Sequence, residues 1–135
     1  MTLLTWGYAC AVGVQAMDDQ HGILMDTLNE LRMAAVGGAG RERISQIVDR
    51  LFEYTRMHFE SEESLMEEEG FPGLEEHREE HHKLLVEMLE VADRVRYGEG
   101  VEMQSIFCTL RDSYIRHIEG QDCEYGPWMN KRGKF

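Results

Sequence analysis

Apolar residues recur at steps of three and four along four segments of the chain, and short turns containing glycine separate these segments. This spacing places the apolar side chains of each segment on one face of an α-helix. The second stripe is the most regular, and it consists of Ile44, Ile47, Val48, Leu51, Tyr54, Thr55, His58, Glu62, Leu65 and Met66. Because short turns join antiparallel neighbours, the sequence predicts an all-α fold, an up-down-up-down four-helix bundle.

Capping residues and turn residues predict where the parts of this fold begin and end. The pair Asp18-Asp19 is expected to cap the first helix, and Pro72 suits the first turn of the third helix. A chain of 135 residues suits one domain. Its expected parts are an extended N-terminal arm over 1–17, the four-helix bundle over 18–125 and a C-terminal tail over 126–135.

The charge and the cysteine content exclude several classes of protein. The chain has 26 acidic and 14 basic residues, so its net charge is −12. Binding to nucleic acid or to an anionic lipid surface needs a basic face, and insertion into a membrane needs an apolar stretch of about 18 residues, which is absent from the sequence. The 3 cysteines have no zinc-like spacing and no disulfide framework. We therefore expect a cytoplasmic, monomeric protein without nucleic-acid or membrane partners.

Acidic residues are concentrated in the segment 60–80, where the only basic residue is Arg78. Most of these acids are expected to face solvent, because Glu60, Glu63, Glu67 and Glu68 lie off the apolar stripe of their helix. The methionines Met57, Met66 and Met88 are expected to fill gaps in the core.

Histidines and carboxylates interrupt the apolar stripes. His58 and Glu62 are four residues apart, and so are His77 and His81, so each pair lies on one helix face. The complete inward-facing set is His21, His58, Glu62, His77, His81, His117 and Asp122. In an up-down-up-down bundle these positions lie near the start of helices one and three and the end of helices two and four, which is the same end of the bundle.

This convergence favours a metal site. A single inward histidine is usually a satisfied core residue, but five imidazoles and two carboxylates at one level are costly to bury unless they are paired or bind a metal. Imidazole and carboxylate together suit iron, manganese or zinc. Seven ligands exceed what one ion uses, so two ions bridged by carboxylates are the simplest arrangement. The ligand types exclude a cysteine-rich zinc site.

The motifs around these residues resemble those of the hemerythrin family, in particular its single-domain bacterial members. The resemblance covers nearly the whole chain. Its matching parts are Trp6 and Val12-Gly13-Val14, Asp19-Gln20-His21, His58-Phe59-Glu60-Ser61-Glu62-Glu63 with Met66, His77-x3-His81, and His117-Ile118-x3-Asp122.

The resemblance implies reversible O2 binding at two non-haem iron ions joined by an oxo or hydroxo bridge. By the family pattern, His77, His81 and His117 would ligate one iron, and His21 and His58 the other. Glu62 and Asp122 would bridge the two ions. The iron with two histidines then keeps one open position, where O2 binds. Some bacterial relatives are thought to supply O2 to an oxygen-consuming enzyme, which is therefore a potential partner.

The O2 pocket of the family falls on Leu24, Phe59 and Ile118, and each of these also suits plain core. The chain departs from the family just before His117, where Ser113 and Tyr114 replace the common Trp and Leu. A phenol at Tyr114 could hydrogen-bond O2, fill the pocket or supply an electron. Two other hypotheses therefore stay open: a di-iron enzyme (peroxidase, nitric-oxide reductase or ferroxidase), and an O2 or redox sensor that acts through a separate partner.

Overall fold

The computed structural model describes residues 13–98, 102–117 and 123–135. Their helices are α1 (Gln15–Val36), α2 (Arg41–Glu68), α3 (Leu74–Tyr97), α4 (Met103–Arg116) and α5 (Cys123–Lys131). Helices α1 and α3 each pack against both α2 and α4, so α1 to α4 form a closed ring of antiparallel neighbours. The predicted four-helix bundle is therefore confirmed. Residues 1–12 of the expected arm lie outside the described residues.

Helix α1 begins earlier than the capping pattern predicts. Its N-cap is Val14, which makes no side-chain capping hydrogen bond, and the helix starts at Gln15 rather than after Asp18. Asp18 lies inside the first turn, where its carboxylate accepts a hydrogen bond from the Gly13 amide at 3.2 Å. A negative charge in the first turn is stabilised by the helix dipole, so Asp18 favours the helix without being its cap.

The turn between α2 and α3 brings the end of one helix next to the start of the other. Gly70 has a φ of +65°, a conformation that favours glycine. The Phe71 amide donates to the Met66 carbonyl at 2.9 Å and the Gly70 amide to the Glu67 carbonyl at 3.2 Å, which is a Schellman ending. Pro72 follows in the turn and α3 begins at Leu74, slightly later than expected.

Two apolar clusters lie along the bundle. The larger one contains Leu28 and Leu31 of α1, Leu51 of α2, Val95 of α3 and Phe107 of α4, together with their buried neighbours. The smaller one joins Val14, Met17, Met66, Tyr125 and Met129. On α1, His21 lies between members of the two clusters, and on α2 the segment from His58 to Glu62 does the same. The polar residues therefore form a layer between two apolar regions.

Helix α5 corrects the expectation of a tail over 126–135. Tyr125 and Met129 are fully buried in the smaller cluster, and the Trp128 indole N–H donates to the Glu69 carbonyl at 3.2 Å. The sequence pattern missed this helix because it is only nine residues long and contains Pro127, which is typical of a helix end.

Not every expected core residue is buried. Met66 and Met88 are fully buried, whereas Met57 is 56% exposed, because it lies one residue before His58 and outside the inward stripe. Among the described residues, none of the helices combines the length and the apolar character needed to cross a membrane.

Candidate metal centre

Five histidines and one glutamate meet in the polar layer. They are His21 from α1, His58 and Glu62 from α2, His77 and His81 from α3, and His117 at the end of α4. His117 is 7% exposed and the other five are 2% exposed or less. The structure thus brings together six of the seven ligands that the sequence predicts. The seventh, Asp122, lies outside the described residues, and the remaining histidine, His82, is exposed.

The six side chains form two groups that share one carboxylate. One group is Glu62 with His77, His81 and His117, and the other is Glu62 with His21 and His58. Within each group one potential ligand atom from every residue lies within 4.8 Å of the others. A carboxylate common to both groups has the geometry needed to bridge two ions.

Each oxygen of Glu62 faces one of these groups. Oε1 lies 3.5 Å from His21 Nε2 and is in close contact with His58 Nε2. Oε2 lies 3.4 Å from His77 Nε2 and 3.9 Å from His81 Nε2. Oε1 therefore faces His21 and His58, and Oε2 faces His77 and His81.

The outward-facing nitrogens of two rings have acceptors of their own. His58 Nδ1 lies 2.5 Å from Gln20 Oε1, and His81 Nδ1 lies 2.9 Å from Glu63 Oε2. Because an amide oxygen and a carboxylate both accept hydrogen bonds, these contacts favour a proton on Nδ1 of each ring, which leaves Nε2 to face the layer. Ligating histidines in metalloproteins have this arrangement.

The electrostatics of Glu62 fit a bound cation. Burial raises the pKa of this carboxyl, but electrostatic attraction by His58 and the polar contacts of His21, His58 and His77 outweigh burial, so the pKa lies well below its usual range. Neither oxygen has a hydrogen-bond partner of good geometry among the described residues. A buried, ionised carboxylate is costly unless it is paired or binds a cation. The residues present therefore fit a metal such as iron, manganese or zinc.

Three residues near the site had no predicted role. Glu63, expected in solvent, has a side chain only 25% exposed and contacts His81, because one step along α2 from Glu62 turns it towards α3. Gln20 contacts His58, and the ring of Tyr125 lies edge-on to His77 at 5.6 Å. Each of these contacts joins two different helices, so residue spacing within one helix could not predict it.

Three of the four predicted pocket residues are described. Leu24 is 1% and Phe59 2% exposed, and the Phe59 ring stacks on His81 with a centroid distance of 3.7 Å. Tyr114 is fully buried, and its hydroxyl contacts Thr55 Oγ1 and lies 3.2 Å from Met88 Sδ. Burial raises the pKa of Tyr114 well above its ordinary value, so the phenol stays protonated. The fourth residue, Ile118, lies outside the described residues.

An imidazole–carboxylate cluster buried in an antiparallel bundle defines a cation-binding helical-bundle protein. The chain also matches the hemerythrin HHE cation binding domain over residues 12–129. It therefore belongs to the hemerythrin family, and its buried histidine and glutamate clusters are consistent with a di-iron centre.

Individual relatives agree with this assignment. The chain is 34% identical to the bacteriohemerythrin of Methylococcus capsulatus, over 96% of this chain and 99% of the relative. It is 30% identical to the bacteriohemerythrin of Stenotrophomonas maltophilia, over 93% and 80%. A solved structure of wild-type hemerythrin matches with a TM-score of 0.85 and 34% identity, over 93% of this chain and 97% of the other.

Proposed function

We propose that this protein binds O2 reversibly at two iron ions in the polar layer. His77, His81 and His117 would hold one ion, and His21 and His58 the other. Glu62 and Asp122 would bridge them. The observation that carries this proposal is the position of Glu62, since each of its oxygens faces the imidazoles of one group.

The donor set suits this chemistry. A pair of ferrous ions would supply the electrons that O2 accepts on binding, and nitrogen donors with few carboxylates distinguish the site from carboxylate-rich iron stores. The protein would provide fixed ligand positions, with imidazoles on four helices that the apolar clusters hold in place.

Burial of the polar layer supports reversible binding rather than turnover. The polar layer is covered on both sides, by the larger cluster and by the smaller one that α5 completes. Phe59 covers one face of His81. A dry site limits proton delivery and thereby side reactions of a bound oxidant.

Leu24, Phe59, Tyr114 and Ile118 are proposed as the walls of the O2 pocket. The hydroxyl of Tyr114 already has partners in Thr55 and Met88, and the phenol is held protonated. These contacts support a space-filling role for Tyr114 and favour the carrier over the enzyme hypothesis. A cytoplasmic location, a monomeric state and delivery of O2 to an oxygen-consuming enzyme complete the proposal.

The test is a cycle of anaerobic reduction, exposure to air and purging with argon, followed by optical absorption and an iron assay. We expect two irons per chain and an absorption band that appears with O2 and fades on purging. Iron binding without such a band, or immediate decay to the ferric spectrum, would contradict reversible binding and favour the enzyme or sensor hypothesis.

A further inference from the structure

His58 and His81, one from each histidine group, differ in the acceptor that lies against Nδ1 of the ring. His58 Nδ1 lies 2.5 Å from the amide oxygen of Gln20, whereas His81 Nδ1 lies 2.9 Å from a carboxylate oxygen of Glu63. Hydrogen bonds to an ionised acceptor are roughly twice as strong as those between neutral groups. Of these two rings, His81 therefore has the stronger outer support.

Glu63 is itself held in place at both oxygens. Oε2 lies 2.9 Å from His81 Nδ1, and Oε1 accepts a hydrogen bond from Arg78 Nε at 3.3 Å. Arg78 in turn donates to Glu75 Oε1 at 2.7 Å. The carboxylate thus links a surface ion-pair network to a buried ring, and contacts at both oxygens restrict its rotation.

We propose that Glu63 is a positioning residue for His81 that makes the metal position of His77, His81 and His117 the tighter of the two. This inference rests on the proposed metal centre but not on O2 binding. Glu63 keeps the proton of His81 on Nδ1, aims Nε2 at the layer and increases the basicity of that nitrogen. Gln20 fixes the same tautomer of His58 without adding charge.

The metal itself gives the first test, with Co2+ as a probe that needs no O2. Metal-free protein is titrated with Co2+ in competition with a chromogenic chelator, and the two dissociation constants are compared. We expect Glu63→Ala to weaken the binding of one of the two Co2+ ions by roughly 10- to 100-fold. Glu63→Gln keeps an oxygen acceptor and should weaken Co2+ binding less than Glu63→Ala does. Gln20→Glu should strengthen the binding of the other Co2+ ion.

Glu67→Ala is the matched control. Glu67 lies on the same helix as Glu63 and also contacts Arg78, at 3.5 Å. Its side chain is 71% exposed, and it is Glu63 that contacts the His81 ring. We expect both Co2+ dissociation constants of this variant to equal those of the native protein. Equal weakening by Glu63→Ala and Glu67→Ala would overturn the proposal, because the effect would then come from the surface network.

The tautomer of His81 in the metal-free protein gives a second test that a purely structural role of Glu63 would not affect. Nitrogen-15 NMR of the ring should show the proton on Nδ1 in the native protein, and Glu63→Ala should move it towards Nε2. An unchanged tautomer together with unchanged Co2+ constants would refute the role of Glu63. Binding of a single Co2+ by the native protein would instead contradict the two-iron proposal, and the Glu63 variants would still be compared at that one site.

Discussion

The polar layer and the larger apolar cluster lie on the inward faces of the same four helices, but one buries polar side chains and the other apolar ones. Leu51 of α2 is fully buried among aliphatic side chains, and burial of each such side chain is worth about 1.5–3 kcal/mol. Three turns later, Glu62 occupies an equivalent inward position with the same burial but among imidazoles. Burial stabilises the fold in the first region and needs compensation in the second.

Residues that stabilise the fold and residues that could bind a metal therefore lie at different positions along the same helix. The apolar cluster can hold the bundle together while the layer keeps polar groups in positions that a metal would need. Substitutions in the two regions should therefore have different consequences. A change in the layer should affect metal content first, and a change in the cluster should affect the free energy of unfolding first.

The largest effect is expected from His58→Ala in the layer. This variant removes the Nε2 atom that contacts Glu62 Oε1, so we expect fewer than two irons per chain and no O2-dependent absorption band. The variant should unfold at a lower temperature than the iron-loaded native protein. His82→Ala is the control, because His82 is exposed beside His81. Two irons and an unchanged spectrum in His58→Ala would refute the ligand assignment.

Leu51→Ala tests the apolar cluster. Loss of a fully buried leucine should lower the free energy of unfolding by about 2–5 kcal/mol, as measured by denaturant titration of the metal-free protein. The iron count should stay at two per chain under conditions where the variant is folded. Leu89→Ala, at a side chain 50% exposed, should change stability by no more than about 0.5 kcal/mol. Loss of iron from the folded Leu51→Ala variant would mean that the two regions are not separable.

Tyr114 lies at the border between the two regions, so its substitution sharpens the comparison. Tyr114→Leu removes the hydroxyl that contacts Thr55 and Met88. We expect a changed autoxidation rate in air with an unaltered iron count, and a loss of about 1 kcal/mol in stability. Tyr114→Phe separates the hydroxyl from the ring. An autoxidation rate equal to that of the native protein would show that Tyr114 is not a wall of the O2 pocket.

The smallest effect is expected at the surface contact that fastens the C-terminal segment. Glu69 binds Arg132 at 2.8 Å and Lys134 at 3.5 Å, and the hydrogen bond from Arg132 contributes most to holding the pKa of Glu69 below its ordinary value. A lowered pKa means that the contact stabilises the fold at neutral pH and is lost as the pH falls through that pKa.

Glu69→Gln should therefore accelerate amide exchange in α5 at neutral pH and leave the iron count unchanged. Acidification should accelerate the same exchange in the native protein and have less effect in the variant. Glu53→Gln is the control, since the ion pair of Glu53 with Arg56 lies within α2. Equal exchange in Glu69→Gln and the native protein would show that the apolar contacts of Tyr125 and Met129 alone hold α5.

Predictions from the sequence succeeded where one helix contains all the information. The stripe from Ile44 to Met66 gave the inward face of α2, and the four-residue spacing of His77 and His81 put both rings on one side of α3. Short turns then implied antiparallel neighbours and a common end for the polar residues. These inferences depend only on the periodicity of the helix, which is the same in every environment.

The tertiary structure alone decided which side chains contact each other between helices. Glu63 and Glu67 are both acids off the stripe of α2, yet only Glu63 turns towards α3 and meets His81. Helix α5 packs against the bundle although its sequence resembles a helix end. Such contacts depend on the rotation, stagger and rotamers of packed helices, which sequence spacing within one helix does not specify.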